Sequence, residues 1–181
     1  MSTIIVIRHA ESVSNKLNDY NMFDPGITCE GEVQAEKAKL QMEKYKGEML
    51  ILCSPSTRAI QTLEIIFPGE KLYLTHLLRE TNTGSPYNKV RSVSTLRSKT
   101  SYDLTFMSDF LQTETTTSDC DRRADDLLVL IEGLKSIKKY NIIVLGTHGN
   151  FGCSLLHKLG IGRYYMNNAE LVVIRDKDEI L

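Results

Sequence analysis

The chain has no tryptophan, and it has only four prolines and four cysteines among its 181 residues. No two cysteines have the Cys-x-x-Cys spacing that is typical of zinc and redox sites. Two of them fall in apolar segments, so we expect thiols of a reducing compartment rather than disulfide bridges or a metal framework. The four cysteines are Cys29, Cys53, Cys120 and Cys153.

Neither sign of charge dominates, because the chain has 22 lysines and arginines and 23 aspartates and glutamates. The resulting net charge of −1 gives no indication of a nucleic-acid or membrane-surface partner. No stretch approaches the ~18 consecutive apolar residues of a membrane-spanning helix. The first predicted strand begins at about Thr3, which leaves no room for a signal peptide, so the sequence predicts a cytoplasmic protein.

Hydrophobic residues make up 41% of the chain and charged residues 25%, which is typical of a globular protein. The length predicts one domain, residues 1–181. Strand-length apolar runs at about 3–7, 49–53, 71–76, 141–146 and 170–175 alternate with helical patterns at about 28–46 and 119–139. Such alternation predicts an α/β fold with a mostly parallel sheet and helices on both faces.

The first apolar run, Ile4 to Ile7, stops at Arg8 and His9, and a polar loop follows. The carboxyl edge of a parallel sheet is where α/β proteins bind ligands. Histidine can act as a nucleophile, and arginine is a common partner of phosphate. Taken alone, the dipeptide is better explained as an exposed strand end, and two further segments reverse that interpretation.

The run at 49–53 leads into Ser54 and Pro55, which predicts a helix with Ser54 as its N-cap and Pro55 in the first helical position. Arg58 then lies in the first turn. Cations are disfavoured at a helix N-terminus, so an arginine there indicates a bound anion.

The run at 141–146 leads into His148, and Asn150 can cap the helix that follows, which Gly160 ends. Three strand ends therefore supply a cluster of cationic and imidazole side chains, which predicts a phosphate site.

Five segments, in order along the chain, resemble the motifs of the histidine phosphatase superfamily, also called phosphoglycerate-mutase-like. They are Arg8-His9-Ala10-Glu11-Ser12-x-x-Asn15, Ile27-Thr28-x-x-Gly31-x-x-Gln34-Ala35, Ser54-Pro55-x-x-Arg58-Ala59-x-Gln61-Thr62, Leu78-Arg79-Glu80-x-x-x-Gly84 and Gly146-Thr147-His148-Gly149. Ala10 stands where the family usually has glycine, so we expect an ordinary negative φ there.

The resemblance implies a three-layer α/β/α sandwich whose mostly parallel sheet has one antiparallel strand. It also implies catalytic roles for His9, Glu80 and His148. His9 would attack phosphorus and form a phosphohistidine, and Glu80 would donate a proton to the leaving oxygen. The phosphate oxygens would be held by Arg8, Asn15, Arg58 and His148.

His9, His148 and Glu80 could in principle bind a metal as two histidines and one carboxylate. Two neighbouring arginines would repel a divalent ion, so the sequence predicts a metal-independent enzyme without a cofactor.

The function we expect is hydrolysis of a small phosphorylated metabolite. A phosphoglycerate-mutase-type phosphotransferase is the alternative. It is less favoured because the chain is short and Thr81 follows Glu80, where mutases usually have arginine. A non-catalytic phospho-ligand module is less favoured still, because every catalytic residue type is present.

The segment at about 85–118, where the family varies and recognises its substrate, matches no motif. No acidic residue lies between Glu80 and Asp103, whereas four basic residues do. They form either a solvated surface or a cationic rim for a second anionic group of the substrate. The four are Lys89, Arg91, Arg97 and Lys99.

Overall fold

A computed structural model of the chain describes residues 2–81, 84–97, 102–107 and 117–174. Six strands form one sheet: β1 (Thr3–Arg8), β2 (Met49–Cys53), β3 (Leu72–Thr75), β4 (Tyr102–Phe106), β5 (Ile142–Thr147) and β6 (Leu171–Ile174). The helices are α1 (Val13–Leu17), α2 (Cys29–Met42), α3 (Thr57–Ile66), α4 (Val93–Arg97), α5 (Thr117–Ile137) and α6 (Gly149–Lys158). Two short 3₁₀ helices span His76–Leu78 and Pro86–Asn88.

The strand order across the sheet is β4-β3-β2-β5-β1-β6. All neighbouring pairs are parallel except β1 and β6, which are antiparallel. Alternate side chains of β1 enter separate hydrophobic clusters: Ile5 and Ile7 pack towards α2 and α3, and Val6 packs towards α5 and α6. The predicted α/β/α sandwich with one antiparallel strand is therefore confirmed.

The strand pairing brings the predicted site residues to one edge of the sheet. Arg8 is the register partner of Thr147, and Cys53 is the partner of Gly146. The residues after these strand ends, His9, Ser54 and His148, consequently emerge side by side at the carboxyl edge.

The start of α3 differs from the prediction. Its N-cap is Ser56 rather than Ser54, and Thr57 is the first helical residue. The side chain of Asp24 takes over the capping, because its carboxylate accepts hydrogen bonds from the Thr57 backbone N–H (2.8 Å) and hydroxyl (2.6 Å). Ser54 instead contacts His148 at the site.

Three other elements, α1, α4 and β4, are missing from the prediction, as are the two 3₁₀ helices. β4 is an edge strand whose side chains are mostly half-buried, and its Asp103 breaks the apolar pattern. α1 spans only five residues. The predicted negative φ of Ala10 is confirmed, as is the helix end at Gly160, which has a φ of +83°.

Candidate active site

His9 lies at the base of the site and is 5% exposed, so the interpretation of the Arg8-His9 dipeptide as an exposed strand end does not hold for His9. Its Nδ1 lies 2.7 Å from the Ala10 carbonyl oxygen. Because a carbonyl oxygen only accepts, Nδ1 carries the hydrogen and Nε2 keeps its lone pair. Ala10 is itself held by a hydrogen bond from its N–H to the Thr62 hydroxyl (3.0 Å).

The pKa of His9 lies well below its usual value. Burial is the largest cause, and the positive charges of Arg58 and Arg8 lower it further, whereas the hydrogen bond to Ala10 opposes the shift. The imidazole is therefore neutral, which is the state a nucleophile requires.

Arg58 is 2% exposed and is fixed at three points. Its guanidinium donates to the Tyr87 carbonyl (2.7 Å) and to Asn88 Oδ1 (2.9 Å), and Nη2 lies 3.1 Å from His148 Nδ1. Asn88 in turn donates to the Thr81 carbonyl (2.7 Å), so Arg58 ties the segment after Glu80 to the site.

His148 is fully buried, and both of its ring nitrogens have partners. A guanidinium only donates, so Nδ1 accepts from Arg58, and Nε2 carries the hydrogen towards the Ser54 hydroxyl at 2.8 Å. Burial, followed by the charge of Arg58, holds the pKa of His148 well below its usual value. Its ring centroid lies 5.1 Å from that of His9.

Arg8 donates from Nη1 to the Met166 carbonyl (2.7 Å), and its buried Nε has no hydrogen-bond partner among the residues that the structure describes. Burial lowers the pKa of Arg8, and the charges of Glu80 and Glu170 oppose that shift. A buried N–H without an acceptor is costly, so it indicates a place for an anion.

Ser12 and Asn15 form the capping box of α1. The Asn15 Oδ1 accepts from the Ser12 backbone N–H (3.2 Å) and hydroxyl (2.8 Å). Ser12 is therefore explained by its structural role, and the amide Nδ2 is the group of Asn15 that remains for a ligand.

Glu80 is 7% exposed, and its carboxylate caps α6. Oε1 accepts from the N–H groups of Thr81 (2.8 Å) and Phe151 (2.9 Å), and from the described residues Oε2 accepts only a longer bond, from Asn150 (3.2 Å). The N-cap position of α6 is thus His148, and Asn150, which we predicted as the cap, lies in the first turn. The carboxylate of Glu80, which is distant in sequence, therefore caps α6 in place of Asn150.

These residues surround one cavity of about 300 Å³. Its lining includes Arg8, His9, Asn15, Arg58 and Glu80. His148 does not line the cavity, but it contacts Arg58 and His9, so the structure brings all the predicted site residues together. Three tyrosines that no motif indicated also line it: Tyr20, Tyr87 and Tyr165.

The basic segment after Glu80 does not reach this cavity in the described part of the chain. Arg91 forms an ion pair with Asp24 (3.3 Å) and lines a different cavity, beside α3. Lys89 and Arg97 are exposed and line neither cavity, and Lys99 lies outside the described residues.

Within residues 2–81, 84–97, 102–107 and 117–174, no group of three or more metal-binding side chains occurs. Over the same residues no helix is long and apolar enough to cross a membrane. The site chemistry rests on imidazoles, guanidiniums and a carboxylate, a set suited to a phosphoryl group.

A mostly parallel α/β sandwich with a buried histidine beside two arginines, of which Arg58 is buried and Arg8 half-buried, is typical of the histidine phosphatase type. The family model of the histidine phosphatase superfamily (branch 1) matches residues 4–178. The chain belongs to this superfamily.

Solved structures share its fold over nearly the whole length. The ecdysone phosphate phosphatase of Bombyx mori, in complex with tungstate, is 14% identical with a TM-score of 0.76, over 98% of this chain and 90% of that one. YhfR of Bacillus stearothermophilus is 19% identical with a TM-score of 0.71, over 98% and 93%. The phosphoserine phosphatase of Entamoeba histolytica, in complex with 3-phosphoglyceric acid, is 18% identical with a TM-score of 0.65, over 96% and 90%. No curated protein sequence matches the chain.

Proposed function

We propose that the protein is a metal-independent phosphomonoesterase that hydrolyses a small phosphorylated metabolite through a phosphohistidine on His9. One observation carries the proposal: His9 is buried and neutral beside two arginines, and its Nε2 keeps the lone pair for attack. The similarity in fold to phosphatases supports it.

In the first step, His9 Nε2 attacks phosphorus in line and forms an N–P bond while the P–O bond to the leaving group breaks. Glu80 gives its proton to the leaving oxygen. Oε2 is the better candidate for that proton, because from the described part of the chain it accepts a single, longer hydrogen bond. In the second step water attacks phosphorus, Glu80 takes a proton from that water, and the N–P bond breaks to release phosphate.

The charge on the transferring phosphoryl oxygens would be met by Arg8, Arg58 and the Asn15 amide. Donors held in place before the reaction stabilise the transition state without reorganisation, and Arg58 is fixed at three points. His148 would contribute by holding Arg58. To bind phosphate itself, its Nε2 must exchange the Ser54 hydroxyl for a phosphate oxygen.

The test is release of inorganic phosphate from nitrophenyl phosphate, phosphoserine and 3-phosphoglycerate, with and without excess chelator. We expect hydrolysis that survives chelation, and its loss in His9→Asn. Activity that disappears on chelation and returns with one divalent metal would contradict a metal-independent mechanism. Interconversion of 2- and 3-phosphoglycerate faster than phosphate release would establish the mutase alternative instead.

A further inference from the structure

The residues that line the cavity divide by exposure into two chemically different groups. Those at its base are polar and buried: His9, Arg58 and Glu80 are 5%, 2% and 7% exposed. At its mouth, Tyr20 is 48% exposed and Tyr165 is 65% exposed. A substrate whose phosphate lies on His9 therefore extends its leaving group towards tyrosine rings.

The aromatic surface has contributions from three separate parts of the chain. Tyr20 follows α1, Tyr87 belongs to the 3₁₀ helix Pro86–Asn88, and Tyr165 follows α6. The rings of Tyr20 and Tyr87 lie 5.0 Å apart at an angle of 58°. Tyr87 is fixed relative to the phosphate site, because Arg58 donates to its carbonyl.

Among the described lining residues, this surface has no cations beyond those needed for one phosphate. Of the described lining residues, only Arg8 and Arg58 are basic, and both belong to the phosphate site. Arg91 belongs to the basic segment after Glu80, but it forms an ion pair with Asp24 and does not face this cavity. A second anionic group on the substrate would find no basic partner among these residues.

We infer that the cavity selects phosphomonoesters with a single phosphate and an aromatic ring in the leaving group. The inference rests on the proposed phosphatase function and adds the substrate class. A volume of about 300 Å³ is at the lower end for ligand pockets and fits a phosphate with a small ring system. Offset or edge-to-face contacts with tyrosines favour a planar ring over a saturated one.

The test compares 2-phenylethyl phosphate with 2-cyclohexylethyl phosphate, which share the same type of alkoxide leaving group and differ in the ring. We expect kcat/KM to be about 2- to 10-fold higher for the phenyl ester, the range that aromatic contacts provide. 3-Phosphoglycerate, which carries a carboxylate and no ring, should be the poorest of the three.

Variants at Tyr165 separate the ring from its hydroxyl group. Tyr165→Leu should lower the phenyl-to-cyclohexyl ratio, because it removes one of the three rings, whereas Tyr165→Phe should keep it. The matched control is Phe23→Leu, which removes a ring that is 60% exposed and does not line the cavity. It should leave the ratio as in the wild type.

A ratio of one in the wild type, a ratio unchanged in Tyr165→Leu, or preference for 3-phosphoglycerate would overturn the inference and leave the phosphatase function standing. If the protein hydrolyses none of these three esters and does not hydrolyse nitrophenyl phosphate either, the proposed function itself is overturned.

Discussion

At the scale of single residues, the two site histidines carry opposite tautomers. His9 has its hydrogen on Nδ1, where the Ala10 carbonyl accepts it, and His148 has its hydrogen on Nε2, facing Ser54. The partners of each ring therefore decide which nitrogen is nucleophilic. Only His9 leaves Nε2 as a base towards the cavity.

Burial of two neutral histidines makes stability depend on pH. Both pKa values lie well below 6.5 in the folded protein, so below about pH 6.5 the unfolded chain binds more protons than the folded one. The free energy of unfolding should therefore fall as pH decreases through this range, by at most about 1.4 kcal/mol per pH unit for each histidine.

Urea unfolding of wild type and His148→Asn between pH 5 and 7.5 measures this dependence. The slope should be shallower in the variant. His157→Asn is the control, because His157 is exposed on α6 and meets water in the folded and unfolded states alike. Equal slopes in all three proteins would show that the buried histidines do not titrate as described.

Glu80→Gln tests the proton donor. An amide keeps an oxygen for the N–H groups of Thr81 and Phe151, so the loop should stay in place while the proton is lost. Esters with alkoxide leaving groups should slow by about 10²–10⁴-fold, and nitrophenyl phosphate by much less, because nitrophenolate leaves without protonation. An equal loss of kcat/KM on both ester types would mean that Glu80 only positions the site.

At the scale of elements, α5 holds the Glu80 loop through one buried side chain. Arg123 is 4% exposed and donates to the carbonyls of Arg79 (2.6 Å) and Glu80 (3.4 Å), and its guanidinium lies 4.2 Å from the Phe151 ring centroid. These contacts link α5 to the backbone that carries Glu80 and to Phe151 at the start of α6, the end that the Glu80 carboxylate caps.

Arg123→Met should keep the packing against Phe151 and leave the carbonyls without their donor. We expect a loss of about 2–3 kcal/mol in the free energy of unfolding, since hydrogen bonds from charged groups contribute about that much. Hydrolysis of alkyl esters should fall more than that of nitrophenyl phosphate. The neighbouring Arg122→Met is the control, because its side chain is 62% exposed; similar losses in both variants would contradict a specific role for Arg123.

The elements also show what the sequence could and could not predict. Strand ends at Arg8, Cys53 and Thr147 follow from local apolar runs, and the parallel register then brings the cluster together. The caps of α3 and α6 do not follow, because Asp24 and Glu80 supply them from 33 and 70 residues away. Side-chain contacts between residues this far apart produce no periodic pattern in the sequence, so they could not be predicted from it.

At the scale of the whole molecule, the two hydrophobic clusters pack on the two faces of the same sheet. Leu63 of α3 and Leu127 of α5 are fully buried in opposite clusters, so loss of either should weaken one cooperative structure. Leu63→Ala and Leu127→Ala should each cost about 2–5 kcal/mol and keep a single unfolding transition. Circular dichroism in urea measures both, and a second transition in either variant would contradict one domain over 1–181.

The phosphohistidine is the central claim, and trapping it is its most direct test. Protein mixed with ³²P-labelled monoester and quenched in alkali within milliseconds should carry label that is stable in base and lost in acid. That label should be present on the wild type and absent from His9→Asn. Hydrolysis by the wild type without any trapped label, or equal labelling of both proteins, would contradict covalent catalysis by His9.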